Sequence, residues 1–81
     1  MQQEIIHYIK TELLGQPELD LTSDEDILTT GLIDSLGIMR LIAHLEERYK
    51  ITVPAEDMTI EYFMTVDAIS EYVAARQAVE V

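Results

Sequence analysis

Two amphipathic segments flank twenty residues, 15–34, that have no helical period, and this gap constrains the fold more than any other feature. The first segment, residues 3–14 (QEIIHYIKTELL), sets Ile5, Ile6, Ile9 and Leu13 at helical spacing, with Gln3, Glu4, Lys10 and Glu12 on the other side. That pattern predicts a helix of about three turns, ended by Gly15 and Pro17. The second segment, from Ser35 to about Tyr49, places Ile38, Leu41, Ile42, Leu45 and Tyr49 on one stripe. The gap holds Gly15, Pro17 and Gly31, six acidic residues and no basic one. A structureless loop of that length is unusual in a small domain unless it packs down or has a job. Leu19, Leu21, Ile27, Leu28, Leu32 and Ile33 are spaced to tuck it onto a core. A turn of helix over Ser23–Leu28 is expected within it, with Ser23 as cap and Asp26 at the third position.

Downstream, residues 51–54 (ITVP) alternate like a strand but are too short and isolated to pair, and are read as a linker. Thr59 is placed to cap a short helix through Phe63, and Thr65 to cap a last helix whose Val66, Ile69, Tyr72 and Val73 face inward. The tail after Arg76 is expected to fray. The sum is an all-α bundle of three main helices and one short helix, with a long loop between the first two. One domain, 1–81, is expected, with an ordered core over about 3–76.

Composition removes several function classes. At 81 residues the chain buries about 60% of the surface of its unfolded form. Sixteen acidic residues against five basic give a net charge of −11. Phosphate repulsion then argues against nucleic acid and anionic membranes, while basic protein surfaces are favoured by steering. Hydrophobic residues at 48% argue against disorder. No apolar run approaches the ~20 residues that span a bilayer, and MQQEIIHYIK lacks the basic-then-apolar order of a signal peptide. There is no cysteine.

No catalytic constellation is legible. His7 and His44 fall on different predicted helices, without the third group that a nucleophile and its base require, and both are expected at the surface. A calcium loop starting at Asp24 fails, because Leu28, Thr29 and Ser35 stand where a ligand, a glycine and a glutamate are needed. No metal ligands are assigned.

The second helix carries more than a bundle needs. Beside its inward stripe lie Leu36, Met39 and Ala43, with Arg40 and Glu47 next to them. Charges at Arg40, Glu46, Glu47, Arg48 and Lys50 argue against full burial, so this second face is expected to be exposed and to dock a partner. Met39 suits such a face because its side chain adapts. At the start of the same helix, TTGLIDSLGIMRL sets Asp34 and Ser35 within an apolar run. Either residue can cap the helix. A phosphate on the Ser35 hydroxyl would meet the positive helix end and its free N–H groups. Gly31 frees the approach and Gly37 removes bulk one turn in. With no base present, the site suits a phosphodiester better than a nucleophile.

Gly31-Leu32-Ile33-Asp34-Ser35-Leu36 resembles the phosphopantetheine attachment motif of acyl carrier and peptidyl carrier proteins. It stands in mid-chain after a long acidic loop. Leu41-Ile42, Leu45-Glu46-Glu47, Ile51, Val53-Pro54, Phe63, Thr65-Val66 and Ile69 follow in the family's order, so the resemblance spans about residues 5–75. It implies that Ser35 carries 4'-phosphopantetheine, transferred from coenzyme A by a magnesium-dependent phosphopantetheinyl transferase. The terminal thiol of that arm would hold an acyl or aminoacyl group as a thioester, which fits a chain with no thiol of its own. Asp34 would support recognition by the transferase. Leu36, Met39, Arg40, Ala43 and Glu47 would meet partner enzymes: an acyl- or aminoacyl-activating ligase and a downstream synthase or transferase.

Two departures separate the chain from fatty-acid carriers. Gly37, Arg40 and His44 interrupt the acidity that those carriers concentrate on their second helix, and the Pro54–Thr65 segment is longer. Asp34-Ser35-Leu36-Gly37 and the longer third-helix region are more similar to discrete aminoacyl carriers, the D-alanyl group among them, and to stand-alone carriers of specialised biosynthesis. The expected role is therefore a free-standing, monomeric, cytoplasmic carrier and not an enzyme. It would serve fatty-acid-like, polyketide, nonribosomal peptide or related biosynthesis. The rival is an unmodified helical adaptor of the same fold that docks through the second helix, with Ser35 only a cap.

Overall fold

The computed structural model describes residues 1–79, and helices are its only regular elements. They are α1 (Gln2–Tyr8), a π-helical turn (Ile9–Leu13), α2 (Ser35–Tyr49), a 3₁₀ turn (Ala55–Asp57), α3 (Ile60–Phe63) and α4 (Val66–Val79). The expected bundle of three main helices and one short one is present. α1 packs on α4, its π turn packs on α2, and α3 packs on α4.

The first helix is not uniform. Its end widens, with Leu14 N–H donating to the Ile9 carbonyl at 3.0 Å and Gln16 N–H to that of Lys10 at 2.7 Å. Widening the turn lets Leu13 and Leu14 both pack against the core, where a regular helix would turn one of them away. α2 has the predicted bounds, starting on the Asp34 cap and ending at Lys50, whose backbone is left-handed at φ 57°. Its stripe buries Leu41, Ile42 and Leu45, with Ile38 and Tyr49 partly buried beside them. Each fully buried side chain of this kind contributes about 1.5–3 kcal/mol.

The long loop is packed down. Leu21, Ile27 and Ile33 are buried, and Ile27 is fully so. Ile27 N–H donates to the Met64 carbonyl at 2.8 Å, and Asp67 N–H donates to that of Ser23 at 2.9 Å, so the loop straps across α3 and the start of α4. The helical turn expected over Ser23–Leu28 does not form. The Asp26 carboxylate instead accepts the N–H groups of Leu28 at 3.0 Å and Thr29 at 2.9 Å, which folds the chain into a side-chain-mediated turn.

The 51–54 segment is a linker as expected, yet it contributes Ile51 and Val53 to the core. Val53 N–H donates to the Glu46 carboxylate at 2.9 Å, which satisfies a backbone group that no sheet is there to pair. Thr65 caps α4 as predicted, its hydroxyl accepting Ala68 N–H at 3.0 Å. Thr59 occupies the cap position of α3 without a side-chain capping bond. The expected fraying after Arg76 is not seen through Val79, where α4 continues. Glu80 and Val81 lie outside the described residues.

A buried aromatic group ties α3 to α4. Tyr72 lies 5.5 Å from Phe63 and 4.9 Å from Tyr62, measured between ring centroids. Its hydroxyl donates to the Asp57 carboxylate at 2.7 Å. Burial, and then that hydrogen bond, pushes the Tyr72 hydroxyl well above the ordinary tyrosine range.

Candidate functional site

The junction of the loop and α2 is built by three residues in succession. Gly31 turns the chain at φ 78°, a conformation open to glycine at little cost. Ile33 is buried and its N–H donates to the Ile27 carbonyl at 2.9 Å, which anchors the junction to the loop's deepest residue. Asp34 then caps α2, its carboxylate accepting Gly37 N–H at 2.7 Å. Of the two candidate caps, the structure uses Asp34.

That assignment leaves Ser35 as the first helical residue, exposed and outside the capping interaction. Ile38 N–H is taken by the Asp34 carbonyl at 2.9 Å, and Gly37 N–H by the Asp34 carboxylate. The first-turn N–H groups of Ser35 and Leu36 have no partner within the helix and lie at its positive end. The other two serines differ. Ser70 is half-buried, donating its hydroxyl to the Asp67 carbonyl at 3.0 Å and accepting from Gln2 at 3.1 Å. Ser23 is half-buried and is part of the strap, its carbonyl accepting Asp67 N–H. Ser35 is the exposed serine at the start of a long helix, which fits a bulky phosphodiester.

Gly37 is required by space. A Cβ there would lie 2.7 Å from Ile33 Cγ2 and 3.2 Å from Asp34 Oδ1, so any side chain would push the anchor or the cap out of place. Replacing Asp34 by alanine removes the cap and is expected to cost about 1 kcal/mol. Urea unfolding of Asp34→Ala measures that loss.

A cleft of about 400 Å³ opens beside Ser35, lined by Leu28, Thr29, Gly31, Ile33, Asp34, Ser35, Ile38 and Ile60. Ile60 comes from α3 and is 55% exposed. Its place in this wall had no sequence signal, because it depends on how α3 folds back on the loop. The wall also includes the Asp26 turn. The hydrogen bond from the Thr29 hydroxyl holds the Asp26 carboxyl below its ordinary value; desolvation opposes it, and the N–H groups of Thr29 and Leu28 add to the lowering. A carboxylate held low in this way supports the turn above the ordinary aspartate range and releases it as pH falls through and below that range. The protection factors of the Leu28 and Thr29 amides, taken against the intrinsic exchange rate at each pH, are therefore expected to fall on acidification, and Asp26→Asn should flatten that dependence.

The second face of α2 is exposed as expected. Leu36 is 71% and Met39 54% exposed, and Arg40, Ala43 and Glu47 are exposed beside them. Glu46 instead turns to the 51–54 linker. Of the histidines, His7 is at the surface, but His44 is half-buried. Its ring stacks on Tyr8 with centroids 3.9 Å apart and planes within 4°. Tyr8 belongs to another helix, which is why spacing along α2 missed the contact. No group of three potential ligands that could hold a metal ion occurs among the described residues. No described helix is long and apolar enough to cross a membrane.

A family described as "Phosphopantetheine attachment site" matches residues 5–73, which contain the whole junction, cleft and exposed face. The chain belongs to this family. The carrier is 34% identical over 71 residues to a D-alanyl carrier protein of Streptococcus sanguinis, covering 88% of this chain and 87% of the relative. It is 41% identical over 58 residues to one of Streptococcus suis (strain 05ZYH33), covering 72% and 73%. A relative of the same name from Streptococcus suis (strain 98HAH33) is 44% identical over 46 residues, and the match spans 57% of this chain and 58% of that one. Family membership makes the protein a carrier of covalently attached 4'-phosphopantetheine, and a substrate holder in place of a catalyst. That role entails a phosphopantetheinyl transferase and a loading ligase as partners.

Proposed function

We propose that this carrier holds D-alanine as a thioester on a 4'-phosphopantetheine arm attached to Ser35. The observation that carries the reading is the position of Ser35. It is the exposed first residue of α2, freed from capping by Asp34, and lies within a family match that spans most of the chain. Three relatives named D-alanyl carrier protein support an aminoacyl cargo over the fatty-acid, polyketide or nonribosomal peptide intermediates. The arm supplies the thiol that this cysteine-free chain lacks.

The chain's own residues present the arm. Gly37 and Ile33 fix the junction, Asp34 caps the helix and serves transferase recognition, and the first-turn N–H groups face the phosphodiester. Leu36, Met39, Arg40, Ala43 and Glu47 form the face that partner enzymes meet while working on the arm. The protein acts in the cytoplasm as a monomer and a single domain over 1–81.

The test has two stages, both read by intact mass. Incubation with coenzyme A, magnesium and a broad-specificity transferase should add one phosphopantetheine. D-alanine, ATP and a streptococcal D-alanine-activating ligase should then add one alanyl group, released by hydroxylamine. No first gain with several transferases would leave the unmodified adaptor. A first gain with loading by an acyl ligase and none by the D-alanine ligase would overturn the cargo.

A further inference from the structure

The charge of this chain is unevenly placed. Residues 35–50 hold three cations, Arg40, Arg48 and Lys50, against two carboxylates, Glu46 and Glu47. The remainder holds two cations, Lys10 and Arg76, against fourteen carboxylates. Contacts within the fold decide which of these charges face outward. Arg48 is paired with Glu4 of α1 at 2.7 Å, and Glu46 is occupied with Val53 N–H at 2.9 Å. The exposed charges here are then Arg40 and Glu47 on the outward face of α2 and Lys50 at its C-terminal cap, beyond the exposed Leu36 and Met39. The Arg40 guanidinium leans on the Glu12 carbonyl at 3.4 Å, a contact that engages one of its five donors.

We propose that the surface which docks on α2 is an enzyme face with an apolar socket flanked by carboxylates. The socket receives Leu36 and Met39. One acidic group meets Arg40 about 6 Å along the helix from Leu36, and a second meets Lys50 about 20 Å along it, from the rise per residue. The acidic 15–34 loop on the other side of Ser35 repels the same partner, so attraction and repulsion together fix its direction along α2. A basic docking face would instead be pulled onto the loop. The proposal rests on the reading that Ser35 bears the arm, since that is what brings enzymes to this end of α2.

The test compares two single charge reversals of equal size, Arg40→Glu on the face and Lys10→Glu on α1, in the arm-bearing protein. With the streptococcal D-alanine-activating ligase, kcat/KM for loading should fall about tenfold for Arg40→Glu at low ionic strength, and the gap should close as salt rises. Lys10→Glu should leave it unchanged. In a second arm, an acyltransferase of the fatty-acid type with a basic docking patch should load the Arg40→Glu/Lys50→Glu variant faster than the wild type. Equal losses for both single variants would reduce the effect to net charge and overturn the proposal, as would indifference to Arg40→Glu. Loss of an anionic-vesicle interaction or of self-association on Arg40→Glu would overturn it in favour of a lipid surface or a second copy. A protein that gains no arm removes the shared premise and overturns both readings. A protein that gains the arm but takes no D-alanine fails the cargo reading alone, and the acyltransferase arm then decides the docking face.

Discussion

Truncating Phe63 to alanine is expected to leave a large fraction of the protein unfolded at room temperature. Phe63 is 1% exposed and is a large member of the single buried cluster. Removing its ring leaves a cavity between α3, α4 and the strap, at a cost of about 3–5 kcal/mol. Folded domains are stable by only about 5–15 kcal/mol, and a short chain lies toward the low end. Tyr72 would also lose its edge contact and, with it, part of what holds Asp57. Urea titration followed by circular dichroism should show a midpoint shifted far toward zero. A midpoint within error of the wild type would show that α3 is peripheral to the core.

Replacing Ser35 by alanine is expected to abolish the arm while leaving the fold unchanged. The hydroxyl is exposed and the Asp34 carboxylate performs the capping, so stability should move by no more than a surface substitution does, within about 0.5 kcal/mol. Attachment, and all loading that depends on it, should be absent. This separates the carrier from the adaptor: an adaptor docking through α2 would bind its partners equally well as Ser35→Ala. A marked loss of stability in the same variant would instead restore Ser35 to a capping role.

The parts of this structure that were legible in the sequence are those decided locally. α2 could be bounded because a capping aspartate precedes its stripe and the apolar spacing ends at Tyr49. The exposure of Leu36, Met39 and Ala43 followed from a stripe that no core needed. What stayed hidden depends on partners distant in sequence. The π turn at Ile9–Leu13 exists because the core takes up both Leu13 and Leu14. The helical turn at Ser23–Leu28 was lost to the Asp26 carboxylate, which bonds its own following N–H groups more readily than it lets a helix close. His44 owes its half-buried position to Tyr8 of α1, a partner that spacing along α2 does not reveal. Ile60 joins the wall beside Ser35 only because Ile27 N–H and the Met64 carbonyl bring α3 to the loop.

Fragmentation mass spectrometry of the protein after reaction with coenzyme A, magnesium and a transferase locates the residue that carries the group. The chain has three serines, and cleavage at acidic residues, of which Asp24, Glu25 and Asp26 lie between Ser23 and Ser35, puts Ser23, Ser35 and Ser70 on different peptides. One phosphopantetheine is expected, on the peptide that contains Ser35 and on that residue. A group found on Ser23, Ser70 or a threonine, or no group on any of them, would contradict attachment at Ser35.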